Sequence, residues 1–181
     1  MYHAGSDGKT LQSHEVYSGR IIRVRNDEVL LPNGEHGWRE VVDHPGGVGI
    51  LAFDDQGRVA LVRQFRYAVG QHLWEIPAGK REKGENPFVT AQRELNEEVG
   101  AAAARWTELG SIIASPGCYA EVLYLYMAEG LTFSEQHLDE DEFINVGAYT
   151  IDELRKKIYS GEIEDSKTVA ALLAYADKYG K

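Results

Sequence analysis

Glu94, Glu97 and Glu98 fall within five consecutive positions of the stretch GKREKGENPFVTAQRELNEEVG, residues 79–100. On a helix, residues three and four apart share a face, so Glu98 would stand one turn beyond Glu94 with Glu97 beside both. Like charges at that spacing cost about 0.2–0.5 kcal/mol per pair on an exposed helix. Two readings account for them. One is a solvated face on which Arg93 offsets Glu97; the other is a divalent cation that takes up the charge. Mg²⁺ favours a few carboxylates, retained waters and the phosphate oxygens of a substrate, and three carboxylates leave room for two or three such ions. The preceding turn, IPAGKREKGE, carries glycines that let backbone approach a ligand closely. Carboxylates beside such a turn outline a site for phosphate chemistry.

The rest of the chain must position that site. Its 181 residues, 43% hydrophobic and 27% charged, suit one soluble domain with a small appendage. A chain of this size buries about 70% of its unfolded surface, so it needs no metal or disulfide to fold. A metal would therefore serve chemistry. The net charge of -10 argues against nucleic acid, which calls for clustered Lys and Arg. One cysteine, Cys118, excludes an internal disulfide and a cysteine-based zinc site, and fits a reducing, cytoplasmic setting. The start, MYHAGSDGKTLQSH, lacks the apolar core of a signal peptide, and GGVGILAF is too short to span a membrane.

Residues 1–45 alternate β-prone runs with turn signals, RNDE and PNGE being the expected hairpin turns. GGVGILAFDDQGRVALVRQFRY predicts two strands about the turn DDQG, and HLWEIPAG a further short strand ending at Pro77 and Gly79. NPFVTAQRELNEEVG predicts a helix, with Pro87 in its first turn and Gly100 as its stop. TELGSIIAS, AEVLYLYMAEG and DEFINVGAYT are strands, the second apolar on both faces as if covered on both sides. Two helices follow. The first opens on a Thr150–Glu153 capping box, and the second carries Val169, Leu172, Leu173 and Ala176 as a core stripe. The pattern implies an α+β or layered α/β/α domain.

The opening stretch resembles the Nudix box: glycine, five residues, Glu, seven residues, then Arg-Glu-apolar-any-Glu-Glu-any-Gly-apolar. Gly79, Glu85, Arg93, Glu94, Leu95, Glu97, Glu98, Gly100 and Ala101 fill it. Seven fixed letters arise by chance on the order of once in 10⁸ windows. The resemblance implies a Nudix fold, an α/β/α sandwich with a mixed sheet, over residues 46–181, and an N-terminal antiparallel β segment over 1–45. It implies hydrolysis of a diphosphate joined to another group. Glu94, Glu97, Glu98 and the Ala78 carbonyl would hold Mg²⁺ (or Mn²⁺), while Glu85 and Arg93 brace the loop.

The flanks resemble the ADP-ribose pyrophosphatase branch. Pro116, in ASPGCYAE, lies sixteen residues beyond Gly100, and REVVDHPGGVGILAF with RQFRY is similar to the same branch. That likeness implies Arg66 at the diphosphate, with Glu40 and Arg39 near the adenine end. Trp38 has other readings, a base-stacking ring or else a core or interface tryptophan. The acidic run EQHLDEDEFINV would supply the carboxylate that activates water, with Glu140 favoured, Glu142 as its pair and Glu97 as a further catalytic candidate. In this branch the N-terminal segment is exchanged across a homodimer, so each site would use both chains. The expected substrate is a small nucleoside diphosphate-linked molecule, ADP-ribose first. ADP-glucose, GDP-mannose and a non-catalytic Nudix-fold sensor are the alternatives.

Overall fold

The computed structural model describes residues 8–138 and 143–180. Its strands and helices divide into two compact units, one running to Gly46 and adding Ile113–Glu121, the other taking Gly47–Ile112 and the chain from Val122 onward.

The first unit is an antiparallel meander of β1 (Lys9–Ser18), β2 (Arg23–Leu30) and β3 (His36–Asp43). Val42 also pairs with Tyr119, where its amide donates to the Cys118 carbonyl at 2.7 Å. PNGE is a hairpin turn as expected, with Gly34 at positive φ. RNDE is not: it lies inside β2, and the preceding turn is at Gly19–Ile22, where the Gly19 amide donates to the Ile22 carbonyl. Asp27 finds its partners within the sheet instead, while the buried Asn26 Oδ1 has no hydrogen-bond partner among the described residues. Ser13 Oγ donates to Asp27 Oδ1 at 2.6 Å, and Arg25 pairs with the same buried carboxylate. Arg23 and Arg25 both donate to Asp43, holding its carboxyl below its ordinary range although burial opposes them.

The second unit is the layered part. β4 (Gly47–Ala52) runs parallel to β9 (Tyr119–Phe133) along Leu123–Ala128 and antiparallel to β7 (Ala78–Lys80). β8 (Ala101–Ser115) pairs with β9. A separate antiparallel sheet has the order β10 (Asn145–Tyr149), β5 (Val59–Arg66), β6 (Gln71–Glu75). Three helices complete the unit: α1 (Pro87–Val99), α2 (Ile151–Tyr159) and α3 (Ser166–Tyr179).

Strand alternation sorts two cores. Val48, Ile50 and Ala52 of β4, with Tyr126 and Ala128 of β9, pack with Ala91, Leu95 and Val99 of α1. Leu51, Leu125 and Met127 point the other way, to Leu154 of α2 and Ala171 and Leu172 of α3. Helices therefore cover both faces of a mixed sheet, which is the α/β/α arrangement. It also explains why β9 is apolar on both alternating faces. The stripe on α3 differs by one position from its expected form. Thr168, Ala171 and Leu172 are buried, while Leu173 is 52% exposed.

Candidate active site

α1 starts where the sequence predicts. Asn86 caps it, its side-chain oxygen accepting from the Phe88 amide at 2.9 Å, and Pro87 follows in the first turn. Burial of Ala91, Leu95 and Val99 fixes the rotation of the helix about its axis. That rotation turns Glu94 and Glu98 toward β7, where both are buried, at 7% and 2% exposure. The Ala78 amide donates to Glu98 Oε2 at 2.8 Å. One residue on, a Cβ added to Gly79 would collide with the Glu94 carboxylate. The first box glycine is thus a cradle for an acid, which any side chain would fill.

Arg93 lies among the acids. Its Nη1 is 2.8 Å from Glu94 and 2.7 Å from Glu97, its Nε is 3.6 Å from Glu85, and its Nη2 donates to the Lys80 carbonyl. Burial opposes its charge, but Glu94 first and then Glu97 more than reverse this and raise its pKa. Glu85 accepts from the Glu82 amide at 2.9 Å, and this bond foremost, with help from Thr90 and Arg93, holds its carboxyl below the usual range. Arg81 donates to the Glu85 carbonyl and lies over the Tyr124 ring. Glu85 and Arg93 accordingly tie the loop 80–86 to α1.

The far end of α1 is tied down as well. Residues 134–137 satisfy its last carbonyls. The Ser134 amide donates to Gly100, the His137 amide to Glu97, and Gln136 Nε2 to Glu98. Gly100 has φ +66°, and a Cβ there would lie 2.5 Å from the Ser134 carbonyl oxygen. The second box glycine therefore both stops the helix and admits this returning segment. The carboxylates proposed from the acidic run, Glu140 and Glu142, lie outside the described residues.

Arg66 ends β5, and its Nε and Nη2 donate to the two oxygens of Glu75 at 2.6 and 2.7 Å. Glu75 is 1% exposed and also receives Lys167, which bonds Asp165 Oδ1 at 2.8 Å. Asp165 caps α3, and Thr168 Oγ1 both donates to it and accepts from the Ile76 amide. The negative charge of Glu98 contributes to raising the Arg66 pKa, after the bonds from Glu75. Sequence reading missed Glu75, Lys167, Asp165 and Thr168, although an acid inside the apolar run HLWEIP was a visible signal.

Arg39 and Glu40 are exposed neighbours on β3 in the first unit, so they project to opposite faces. Trp38 is 55% exposed with its ring near His14, which removes the core reading and leaves the base-stacking and interface readings. Among the described residues no three His, Cys, Asp or Glu side chains are gathered about one point in a form that would hold an ion. The donor set nevertheless fits a hard divalent cation. It consists of carboxylate oxygens on one helix face, seated against a glycine cradle.

A NUDIX domain matches residues 43–172, and a nucleoside diphosphate sugar hydrolase N-terminal domain matches residues 9–42. The chain is 43% identical over 166 residues to a methanol dehydrogenase activator of Bacillus methanolicus, covering 91% of this chain and 90% of that one. It is 42% identical, with the same coverage, to an ADP-ribose pyrophosphatase of Bacillus subtilis strain 168. The crystal structure of an ADP compounds hydrolase superposes with a TM-score of 0.86 over 99% of this chain and 97% of that one. At 19% identity, that likeness speaks for the fold. With a complete box folded as described and a family match over most of its length, the chain belongs to the Nudix family and is a Nudix hydrolase, a class that is in general metal-dependent.

Proposed function

We propose that the chain hydrolyses the diphosphate of ADP-ribose to AMP and ribose 5-phosphate. The observation that carries this reading is the seating of Glu94 and Glu98 against Ala78 and Gly79, which turns the box acids toward one stretch of backbone. The choice of ADP-ribose is supported by 42% identity to a named ADP-ribose pyrophosphatase along nearly the whole chain.

Glu94, Glu97, Glu98 and the Ala78 carbonyl would hold Mg²⁺, or Mn²⁺ in its place. The ion would supply Lewis acidity to the diphosphate oxygens. Arg66 presents a planar fork that matches those oxygens and holds the diphosphate in line. Glu140, with Glu142 or Glu97 as the other candidates, takes the proton of the attacking water as its oxygen bonds to one phosphorus. The bridging P–O bond then breaks to release the two monophosphates. Residues 1–45 form an N-terminal segment exchanged across a homodimer, which brings Arg39 and Glu40 to the adenine end of the partner's site; residues 46–181 carry the chemistry. A cytoplasmic setting accords with the single cysteine.

One observation favours a second reading. The match of residues 9–42 to a nucleoside diphosphate sugar hydrolase segment suits ADP-glucose or GDP-mannose as well. The test is a product assay with Mg²⁺ on ADP-ribose, ADP-glucose, GDP-mannose and NADH, with a chelator control. AMP and ribose 5-phosphate from ADP-ribose, lost on chelation, are expected. Preference for another substrate would overturn the branch, and Mg²⁺-independent ADP-ribose binding without turnover would overturn the enzyme reading.

A further inference from the structure

We infer that Glu75, compensated by Lys167 and anchored to the start of α3 through Asp165, is a positioning residue that fixes the Arg66 guanidinium for the diphosphate. The inference rests on the reading of Arg66 as the diphosphate ligand.

A guanidinium has five N–H donors in one plane. Glu75 takes the Nε and Nη2 edge through both of its oxygens, so the plane is fixed and the Nη1 edge is left to face a ligand. A long side chain held in this way has already lost the rotamer freedom that binding would otherwise cost. Lys167, only 8% exposed, also donates to Glu75 Oε2, so the buried acid is shared between two cations rather than spent on Arg66 alone. Asp165 balances Lys167 on its far side, where it also caps α3 by accepting from the Thr168 amide at 2.9 Å. The four charges sum to zero, so what the network gives Arg66 is a fixed direction for its remaining N–H groups rather than surplus charge. Such a burial of Lys and Glu is rare unless the groups are paired. Here each acid oxygen named has a cation or N–H partner.

The same cluster reaches the box. Thr168 Oγ1 accepts from the Ile76 amide at 2.9 Å, two residues before Ala78, whose amide serves Glu98. The beginning of α3, 92 residues along the chain from Glu75, therefore sets both the arginine and the backbone entering β7. A displacement of about 1 Å at such a place can cost on the order of 10²-fold in rate.

The test uses the full-length enzyme with ADP-ribose and Mg²⁺, comparing Arg66→Gln, Glu75→Gln, Glu75→Asp and the double variant Arg66→Gln/Glu75→Gln. Thermal melting confirms that each is folded. Glu75→Asp keeps the charge beside Lys167 but draws the carboxylate back from Arg66, so it keeps the test open if Glu75→Gln does not fold. Each Glu75 variant is expected to lower kcat/KM by roughly 10–10²-fold, mainly through KM. The double variant is expected to be no worse than Arg66→Gln alone. Multiplying losses, near-normal kinetics in Glu75→Asp, or failure of both Glu75 variants to fold would overturn the inference while the Arg66 reading stands. Near-normal kinetics in Arg66→Gln would instead remove the Arg66 reading itself.

Discussion

Two clusters of acids and bases flank the same short stretch of backbone, Ile76–Lys80, and they are built on opposite plans. Around Glu75 the charges balance, with Arg66 and Lys167 against Glu75 and Asp165. Around Arg93 one guanidinium is shared: it serves Glu94 and Glu97 and lies 3.6 Å from Glu85, with Glu98 on the same helix. A balanced buried network is finished by folding, and it holds geometry. Under the proposed function the acids that share Arg93 are the ones that would meet a further cation, so the comparison sets residues proposed to position against residues proposed to bind.

The largest effect is expected at the acidic cluster. Glu98→Gln keeps an oxygen to accept from the Ala78 amide but removes a charge, and should lower turnover by roughly 10²–10⁴-fold with little change in melting temperature. Near-normal turnover would break the distinction drawn above. Gly79→Ala comes next. The new Cβ meets the end of the Glu94 side chain rather than backbone, so the buried carboxylate must shift from its place beside Arg93 and the Mg²⁺ concentration for half-maximal activity should rise about tenfold. A magnesium titration reads this directly, and an unchanged requirement would dismiss Glu94 as a ligand.

The smallest effect concerns acid stability. Burial would raise the Glu75 carboxyl, but the Arg66 bonds and the charge of Lys167 reverse this, so its pKa lies below the ordinary 4.5. A depressed acid contributes stability above its unfolded pKa, and that contribution is lost as pH falls through the folded value. Denaturant melts below pH 4.5 should therefore decline less steeply in Glu75→Gln than in the parent chain. Equal slopes would mean that Glu75 is not the charged centre of its network.

Much of this was legible in the sequence, and unevenly so. The box announced α1, Pro87 in its first turn, its stop at Gly100 and the facing of its acids, because helix periodicity and capping are local. RNDE misled because an Asp favours a turn only when nothing else satisfies it; here Ser13 on β1 and Arg25 on the same strand partner Asp27. Leu173 looked like core from its spacing, yet the core on α3 runs through Thr168, since a threonine oxygen is needed at the Ile76 amide. The Glu75 network could not be read because its bonds join positions 92 apart. The roles of the two glycines were visible as spacing, but what each makes room for depends on which chain segment folds against it.

The bond between Glu98 and Ala78 also bears on how this site tolerates mutation. The donor is a main-chain amide, so it does not depend on which side chain occupies position 78. Of the twenty residues only proline lacks that hydrogen. Half of this contact is thus shielded from nearly all single substitutions at its own position, and drift can reach it only through Glu98 or through the backbone path of β7.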